Sequence, residues 1–175
     1  IACLNEAVEA QKLIAPSKIL NYTRSKIIKH LANDGSLEGG KDGMDCSLIS
    51  FDFENNKLTF AAANNPIWIV RQGELIECKP DKMPVGRHDK QAIPFTEHII
   101  ELQKGDVVYT LTDGMPDQFG GEKGKKFMYK QLKEMMIQLS SLPMKEQKEQ
   151  LQFVLNTWKE GYEQIDDICI VGVKI

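Results

Sequence analysis

The sequence has 175 residues, of which 42% are hydrophobic and 27% are charged, and its formal net charge is -3 at pH 7. This length and composition predict one soluble globular domain with a single hydrophobic core. The small negative charge gives no general attraction to nucleic acid or to an anionic membrane surface. No apolar run approaches the ~20 residues that a membrane-spanning helix requires.

The periodicity of the apolar residues predicts the secondary structure, because helices repeat every 3.6 residues and strands every two. The chain begins directly in a helical pattern without a capping residue, which predicts that it is cut from a longer protein. In chain order, the predicted elements are helices at 1–13 and 16–31, a loop at 33–43, strands at 44–53, 57–63, 67–71, 74–78, 95–102 and 107–112, a glycine-rich loop at 114–126, helices at 127–140 and 143–160, and a strand at 167–175.

Clustered strands with short connections predict a mostly antiparallel sheet and therefore an α+β layered domain. The last strand is apolar on both faces. This pattern predicts a central strand with Ile170, Val171 and Val173 buried.

The four cysteines contain no C-x-x-C pair, and the chain begins without a signal-peptide pattern. Each cysteine lies among apolar residues, which predicts buried free thiols. Free thiols are typical of a reducing compartment, and the predicted location is the cytoplasm.

Two acidic motifs lie 53 residues apart and carry the functional prediction. In residues 105–114, an apolar strand leads into Asp113 and Gly114, and in residues 166–173 the pair Asp166-Asp167 opens an apolar strand. Each acid alone is also typical of an ordinary turn or strand start. Together they place carboxylates at strand ends, where a sheet holds them rigidly, and carboxylate oxygens suit hard cations such as Mg2+ or Mn2+.

With these motifs, the chain resembles the type 2C metal-dependent protein serine/threonine phosphatases, in the bacterial branch that is named after stage II sporulation protein E. The resemblance extends over nearly the whole chain, and the order and spacing of its segments make it specific. The segments that carry it are Asp42-Gly43-Met44-Asp45, 61–66, Met83-Pro84-Val85-Gly86, 105–114, 117–121 and Asp166-Asp167.

The resemblance implies a fold and an activity. The implied fold is a two-sheet antiparallel β-sandwich flanked by helix pairs, a four-layer αββα arrangement in which the first strands are absent here. The implied activity is hydrolysis of phosphoserine or phosphothreonine on a bacterial regulatory protein, with Mn2+ or Mg2+ in a two-metal site. The implied partners are a phosphoprotein substrate such as an anti-sigma-factor antagonist, an upstream sensor or receiver module, and a second copy in a homodimer.

The resemblance also assigns roles to individual residues. Asp113 and Asp166 match the metal-ligating acids of the family. Asp167 is the second member of the terminal motif and is expected to support the site rather than bind metal. Gly114 lets the turn pass close to the site, and Asp117 is a further candidate ligand.

The family's first motif has no counterpart in this chain. That motif supplies an Asp that bridges both metals, whereas residues 1–8 match the later part of the helix that follows it. We therefore expect residues 1–175 to form a single, N-terminally incomplete phosphatase domain with weak or no metal binding and little activity. The alternative is a non-catalytic, phosphatase-like module that only binds a partner. The two acidic motifs favour the enzyme for the parent protein, and the missing motif favours the module for this polypeptide.

Overall fold

The computed structural model describes residues 2–32, 43–90 and 92–175, with Ala32 described in its backbone only. The helices are α1 (Ala2–Asn5), which continues into a π-helical turn (Glu6–Ala10), α2 (Pro16–Ala32), α3 (Gly114–Asp117), α4 (Tyr129–Leu139) and α5 (Met144–Trp158). The strands are β1 (Gly43–Met44), β2 (Cys46–Asp52), β3 (Lys57–Ala63), β4 (Ile67–Arg71), β5 (Glu74–Cys78), β6 (Val85–Gly86), β7 (His98–Glu101), β8 (Val107–Leu111), β9 (Phe119–Gly120), β10 (Lys125–Lys126) and β11 (Ile170–Lys174).

The chain divides into two compact units, Ile1–Pro66 with Lys79–Leu102, and Ile67–Cys78 with Gln103–Ile175. In the first unit, β2, β3 and β7 form an antiparallel sheet, and β1 pairs with β6. Leu20 of α2 packs over the short side chains Ala61 and Ala63 of β3, which let the helix approach the sheet closely. The rest of this core is Met83, Val85 and Phe95.

The second unit has a four-stranded antiparallel sheet in the order β11-β8-β4-β5. Its core joins side chains of β4 and β8 to side chains of α3 and α4, and residues of α5 pack against it. Tyr109 of β8 is buried, and its hydroxyl donates a hydrogen bond of 2.6 Å to Oε1 of the buried Gln147 of α5. Burial raises the pKa of Tyr109 to about 12, so this hydroxyl keeps its proton and the bond to α5 at neutral pH.

The predicted α+β class with antiparallel sheets is confirmed. The strand predictions for 57–63, 67–71 and 74–78 are confirmed to the residue. Gln72 and Gly73 link β4 to β5 with φ angles of 50° and 83°, as expected for a two-residue hairpin turn that matches the strand twist. The loop predicted at 33–43 lies outside the described residues, apart from Gly43.

The prediction that the last strand is central is wrong for the described residues. Strand β11 pairs with β8 and forms an edge of the sheet, and Val171 is 50% exposed, whereas Ile170 and Val173 are only partly buried. An apolar run on both faces is typical of a buried strand, but it does not specify how many strands pair with it. The pattern alone could therefore not separate an edge strand from a central one.

Three further predictions need correction. The helix predicted over 1–13 ends at Ala10, and Lys12 follows in a left-handed conformation with φ 54°. The loop predicted at 114–126 contains α3 and the pair β9–β10. The four cysteines are free, as predicted, but Cys169 is exposed and the others are only partly buried. Among the described residues, no helix combines the length and the apolar character needed to span a membrane.

An ion pair joins the start of β8 to the end of β4. Arg71 donates from Nε and Nη2 to the two carboxylate oxygens of Asp106, at 2.9 and 2.7 Å, and the backbone N–H of Gln103 donates to the same carboxylate at 2.8 Å. Burial alone would raise the pKa of Asp106, which is 1% exposed, but the hydrogen bonds from Arg71 and Gln103 outweigh burial and lower it. A depressed pKa in the folded state stabilises the fold above the unfolded pKa, and this contribution is lost as the pH falls through the folded pKa.

We expect Asp106→Asn to lower the free energy of unfolding at pH 7 by about 2–3 kcal/mol, because the two charge-assisted hydrogen bonds between Arg71 and the Asp106 carboxylate are lost. We also expect acid to destabilise the variant less than the wild type below about pH 4, because the variant has no Asp106 carboxylate to protonate. Urea denaturation at several pH values measures both effects. The exposed Asp89→Asn serves as the control. Parallel stability curves for wild type and Asp106→Asn would contradict this role of the ion pair.

Candidate metal centre

The two acidic motifs meet at one end of the sheet of the second unit. Strand β8 ends at Leu111, two residues before Asp113, and Leu111 pairs with Ile170, the first residue of β11. Because β8 and β11 are antiparallel neighbours, the last residue of β8 and the first residue of β11 lie at the same end of the sheet. The side chains of Asp113 and Asp166 are both exposed there.

Thr112 connects the motifs directly. Its hydroxyl donates a hydrogen bond to the backbone carbonyl of Asp167 at 2.7 Å and accepts one from the backbone N–H of Cys169 at 2.9 Å. Its own N–H donates to the carbonyl of Cys169 at 3.0 Å. Thr112, the residue before Asp113, is thus hydrogen-bonded to Asp167, the residue after Asp166.

Gly114 allows the same close approach from the other side of Asp113. A Cβ atom at Gly114 would lie 2.4 Å from the carbonyl oxygen of Asp167 and 2.8 Å from its carbonyl carbon. No side chain fits at such distances unless the backbone moves. The glycine is therefore required by contact between the two motifs, and no left-handed backbone conformation is involved.

Asp166 is oriented by its own neighbours in the chain. One carboxylate oxygen, Oδ1, accepts a hydrogen bond of 2.7 Å from the backbone N–H of Asp167, and the carbonyl of Asp166 accepts one of 2.9 Å from Nε2 of Gln164. Asp167 meets the first motif through its main chain, and its side chain is exposed. The roles of Asp166 as a ligand and of Asp167 as a supporting residue stay predictions.

Asp117 lies one helical turn after Asp113, and its N–H donates to the carbonyl of Asp113 at 3.0 Å. Its carboxylate forms an ion pair of 3.1 Å with Nζ of Lys126, and both side chains are about 40% exposed. Since both partners are well solvated, this pair adds little to stability. Asp117 could exchange the lysine for another cation at small cost.

The carboxylates of Asp113 and Asp117 bring negative charge to this end of the sheet. Burial raises the pKa of the Tyr129 hydroxyl, and the charges of Asp113 and Asp117 raise it further. Asp113 and Asp117 are thus close enough to the same phenol for their charges to disfavour its ionised form.

Gln118 lies in the segment 117–121 that carries the resemblance, but the sequence assigned it no role of its own, because it follows Asp117 in what was predicted to be a loop. Its side chain is fully buried, and Nε2 donates to the carbonyls of Phe119 and Glu163 at 3.0 and 2.9 Å. Its Oε1 has no hydrogen-bond partner among the described residues. Gln118 thus holds the segment that precedes Asp166, just as Thr112 holds the segment that follows it.

The donor chemistry fits a hard divalent cation, since the exposed groups of the two motifs are carboxylate oxygens. Within residues 2–32, 43–90 and 92–175, however, no group of three or more His, Cys, Asp or Glu side chains is arranged to hold a metal ion. The described residues therefore supply two motif carboxylates, Asp113 and Asp166, and one nearby candidate, Asp117, without a complete ligand set.

Solved structures define the class of this fold. The SiaA-PP2C domain of Pseudomonas aeruginosa is 27% identical with a TM-score of 0.85, over 99% of this chain and 66% of that one. A Bacillus subtilis structure of the SpoIIE PP2C phosphatase domain with a fragment of its regulatory domain is 17% identical with a TM-score of 0.72, over 99% and 48%. The Bacillus subtilis SpoIIE phosphatase domain presoaked with Mn is 17% identical with a TM-score of 0.56, over 86% and 71%.

The fold is thus that of PP2C phosphatase domains, which confirms the predicted fold class. The family model for stage II sporulation protein E (SpoIIE) matches residues 3–175, and the chain belongs to this family. The chain spans 66% and 48% of the lengths of the first two structures that it matches. No curated protein matches the sequence significantly.

Proposed function

We propose that the protein from which this chain comes is a metal-dependent protein serine/threonine phosphatase. The observation that carries the proposal is the contact between the two acidic motifs, which brings Asp113 and Asp166 to adjoining strand ends of a PP2C fold. Membership of the SpoIIE family supports the same activity.

In the proposed reaction, water attacks the phosphorus of a phosphoserine or phosphothreonine side chain. A bond forms between the water oxygen and phosphorus, the ester bond to the side-chain oxygen breaks, and the products are inorganic phosphate and a free hydroxyl group. Bound Mn2+ or Mg2+ would make water acidic enough to supply the nucleophile and would offset the charge of the phosphate.

The chain's own residues would hold and orient the cations. Asp113 and Asp166 would supply carboxylate oxygens from the rigid ends of β8 and β11. Asp117 would add a further oxygen after it releases Lys126. Gly114 lets the first motif lie against the main chain of Asp167, which brings together the backbone segments that carry the two carboxylates.

The proposed substrate is a phosphorylated bacterial regulatory protein, such as an anti-sigma-factor antagonist. The proposed setting is the cytoplasm, with an upstream sensor or receiver module in the same protein and a homodimer as the assembly. The resemblance described above supports these assignments.

Residues 1–175 alone are proposed to have little or no activity, because the family's bridging Asp has no counterpart in them. The test is turnover of p-nitrophenyl phosphate and of a phosphoserine peptide with Mn2+. It compares the 175-residue chain with a form extended at its N terminus to include the family's first Asp motif. We expect turnover that depends on Mn2+ from the extended form and at most a trace from the short chain.

The outcome separates two classes of function. Absence of turnover from both forms, with a folded protein and saturating Mn2+, would reject the phosphatase and favour the partner-binding module. Full activity of the short chain would reject the need for the bridging Asp.

A further inference from the structure

The hydroxyl of Thr112 links the two acidic motifs directly. Through it, the strand that carries Asp113 is bonded to the carbonyl of Asp167 at 2.7 Å and to the N–H of Cys169 at 2.9 Å. Both bonds come from one oxygen, which acts once as a donor and once as an acceptor. The hydroxyl therefore fixes both the position and the direction of the chain as it enters β11.

The contact continues to the carboxylate of Asp166. The peptide group that follows Asp167 is held by Thr112, and the N–H of Asp167 donates to Oδ1 of Asp166 at 2.7 Å. A displacement of the Asp167 main chain would thus move the hydrogen-bond donor that orients the Asp166 carboxylate. Thr112 can therefore affect the orientation of the Asp166 carboxylate without contacting it.

A second residue beside Asp113 holds the other side of Asp166. The buried side chain of Gln118 donates to the carbonyl of Glu163 at 2.9 Å, three residues before Asp166. The backbone carbonyl of Gln118 accepts a hydrogen bond of 3.0 Å from the indole N–H of Trp158, at the end of α5. Thr112, one residue before Asp113, and Gln118, five residues after it, thus hold the main chain on the two sides of Asp166 in sequence, at Asp167 and at Glu163.

We propose that Thr112 and Gln118 are positioning residues that set the Asp166 carboxylate relative to Asp113 for cation binding. This inference rests on the proposed function, because it assigns the two aspartates to one site. Groups that orient a metal ligand without touching the metal typically change metal affinity or activity by 10–100-fold when they are removed. A misplacement of about 1 Å can have an effect of similar size on turnover.

Thr112→Val tests the inference, since valine keeps the β-branched shape of threonine and removes only the hydroxyl. Thr112→Ser keeps the hydroxyl and is the conservative rescue. Thr110→Val is the matched control, because Thr110 lies two residues earlier on β8 and its hydroxyl has no hydrogen bond among the described residues. All variants are made in the N-terminally extended form.

Three measurements are compared. The first is the Mn2+ affinity, from electron paramagnetic resonance. The second is turnover as a function of Mn2+ concentration. The third is the rate of amide hydrogen exchange at Asp167 and Cys169 in the absence of metal. For Thr112→Val we expect a 10–100-fold weaker Mn2+ affinity and faster exchange at Cys169, with a melting temperature within a few degrees of wild type. Thr112→Ser should recover most of the affinity, and Thr110→Val should bind Mn2+ like wild type.

If the wild type binds Mn2+ and hydrolyses the substrate, the inference is overturned by a Thr112→Val variant that binds Mn2+ with the same affinity. It is also overturned if Thr110→Val weakens binding as much as Thr112→Val, because a general loss of strand stability would then explain the effect. If the wild type itself neither binds Mn2+ nor hydrolyses the substrate, the proposed function fails, and the inference fails with it.

Gln118→Glu, which keeps the size of the side chain and replaces the donating amide, should reproduce the loss of Mn2+ affinity. Wild-type affinity in that variant would remove Gln118 from the proposal.

Discussion

Replacement of Asp113 or Asp166 by asparagine is expected to reduce Mn2+-dependent turnover of the extended form by about 100-fold or more. Asparagine keeps the size of the side chain and removes the charge that a hard cation requires. Loss of an orienting group already costs 10–100-fold, and loss of a ligand should cost at least as much. Turnover at saturating Mn2+, with the apparent Mn2+ affinity of each variant, measures the effect.

Both substitutions should leave the fold intact, because the two side chains are exposed. The loss of one of two neighbouring negative charges should leave the melting temperature without metal unchanged or slightly raised. Asp89→Asn is the control, since Asp89 is also exposed and lies outside both acidic motifs. Full activity of either Asp113→Asn or Asp166→Asn would remove that residue from the site.

Gly114→Ala is expected to impair both stability and activity. The added Cβ would lie 2.4 Å from the carbonyl oxygen of Asp167, so the two motifs must move apart. Overpacking of this kind costs about 1–3 kcal/mol of unfolding free energy. A shift of about 1 Å between the motifs can reduce turnover about 100-fold. Urea denaturation and the Mn2+-dependent assay measure the two effects.

Gly73→Ala is the matched control for this substitution. Gly73 has a φ of 83°, and a Cβ there would have no neighbour within 4 Å. It should therefore lose about 1 kcal/mol to backbone strain and keep full activity. If Gly114→Ala were no more harmful than Gly73→Ala, the close packing of the two motifs would not matter for the reaction.

The fold was predictable where local chemistry determines structure. The hairpin of β4 and β5 follows from two short strand-forming segments on either side of Gln72 and Gly73, both of which adopt the positive φ angles that the turn requires. The short pair β9–β10 was missed because a distant residue stabilises it. The backbone of Gly120 packs directly on Trp158, and the N–H of Gly121 donates to the carbonyl of Trp158 at 2.8 Å.

The candidate site was predictable to a similar extent. Asp113 and Asp166 stood out because each is the polar end of an apolar strand. The contribution of Thr112 could not be read from the sequence, since a threonine at the end of a strand is ordinary. Its contacts depend on the register of β8 against β11, which pairs Leu111 with Ile170 and which only the structure reveals.

The strand order has a consequence for the synthesis of the protein on the ribosome. Strand β8 pairs with β4, which is made earlier, and with β11, which occupies Ile170–Lys174. Asp113 and Asp166 are separated by 53 residues. At 5–20 residues per second, Asp113 is made roughly 3–10 seconds before Asp166.

During this interval the nascent chain contains the first acidic motif but not the second. Pairing of distant segments is also slow compared with the formation of local hairpins. The nascent protein therefore cannot assemble both motif carboxylates around a cation while α4 and α5 are still being made. Capture of metal by both motifs must follow synthesis of this domain and cannot guide its early folding.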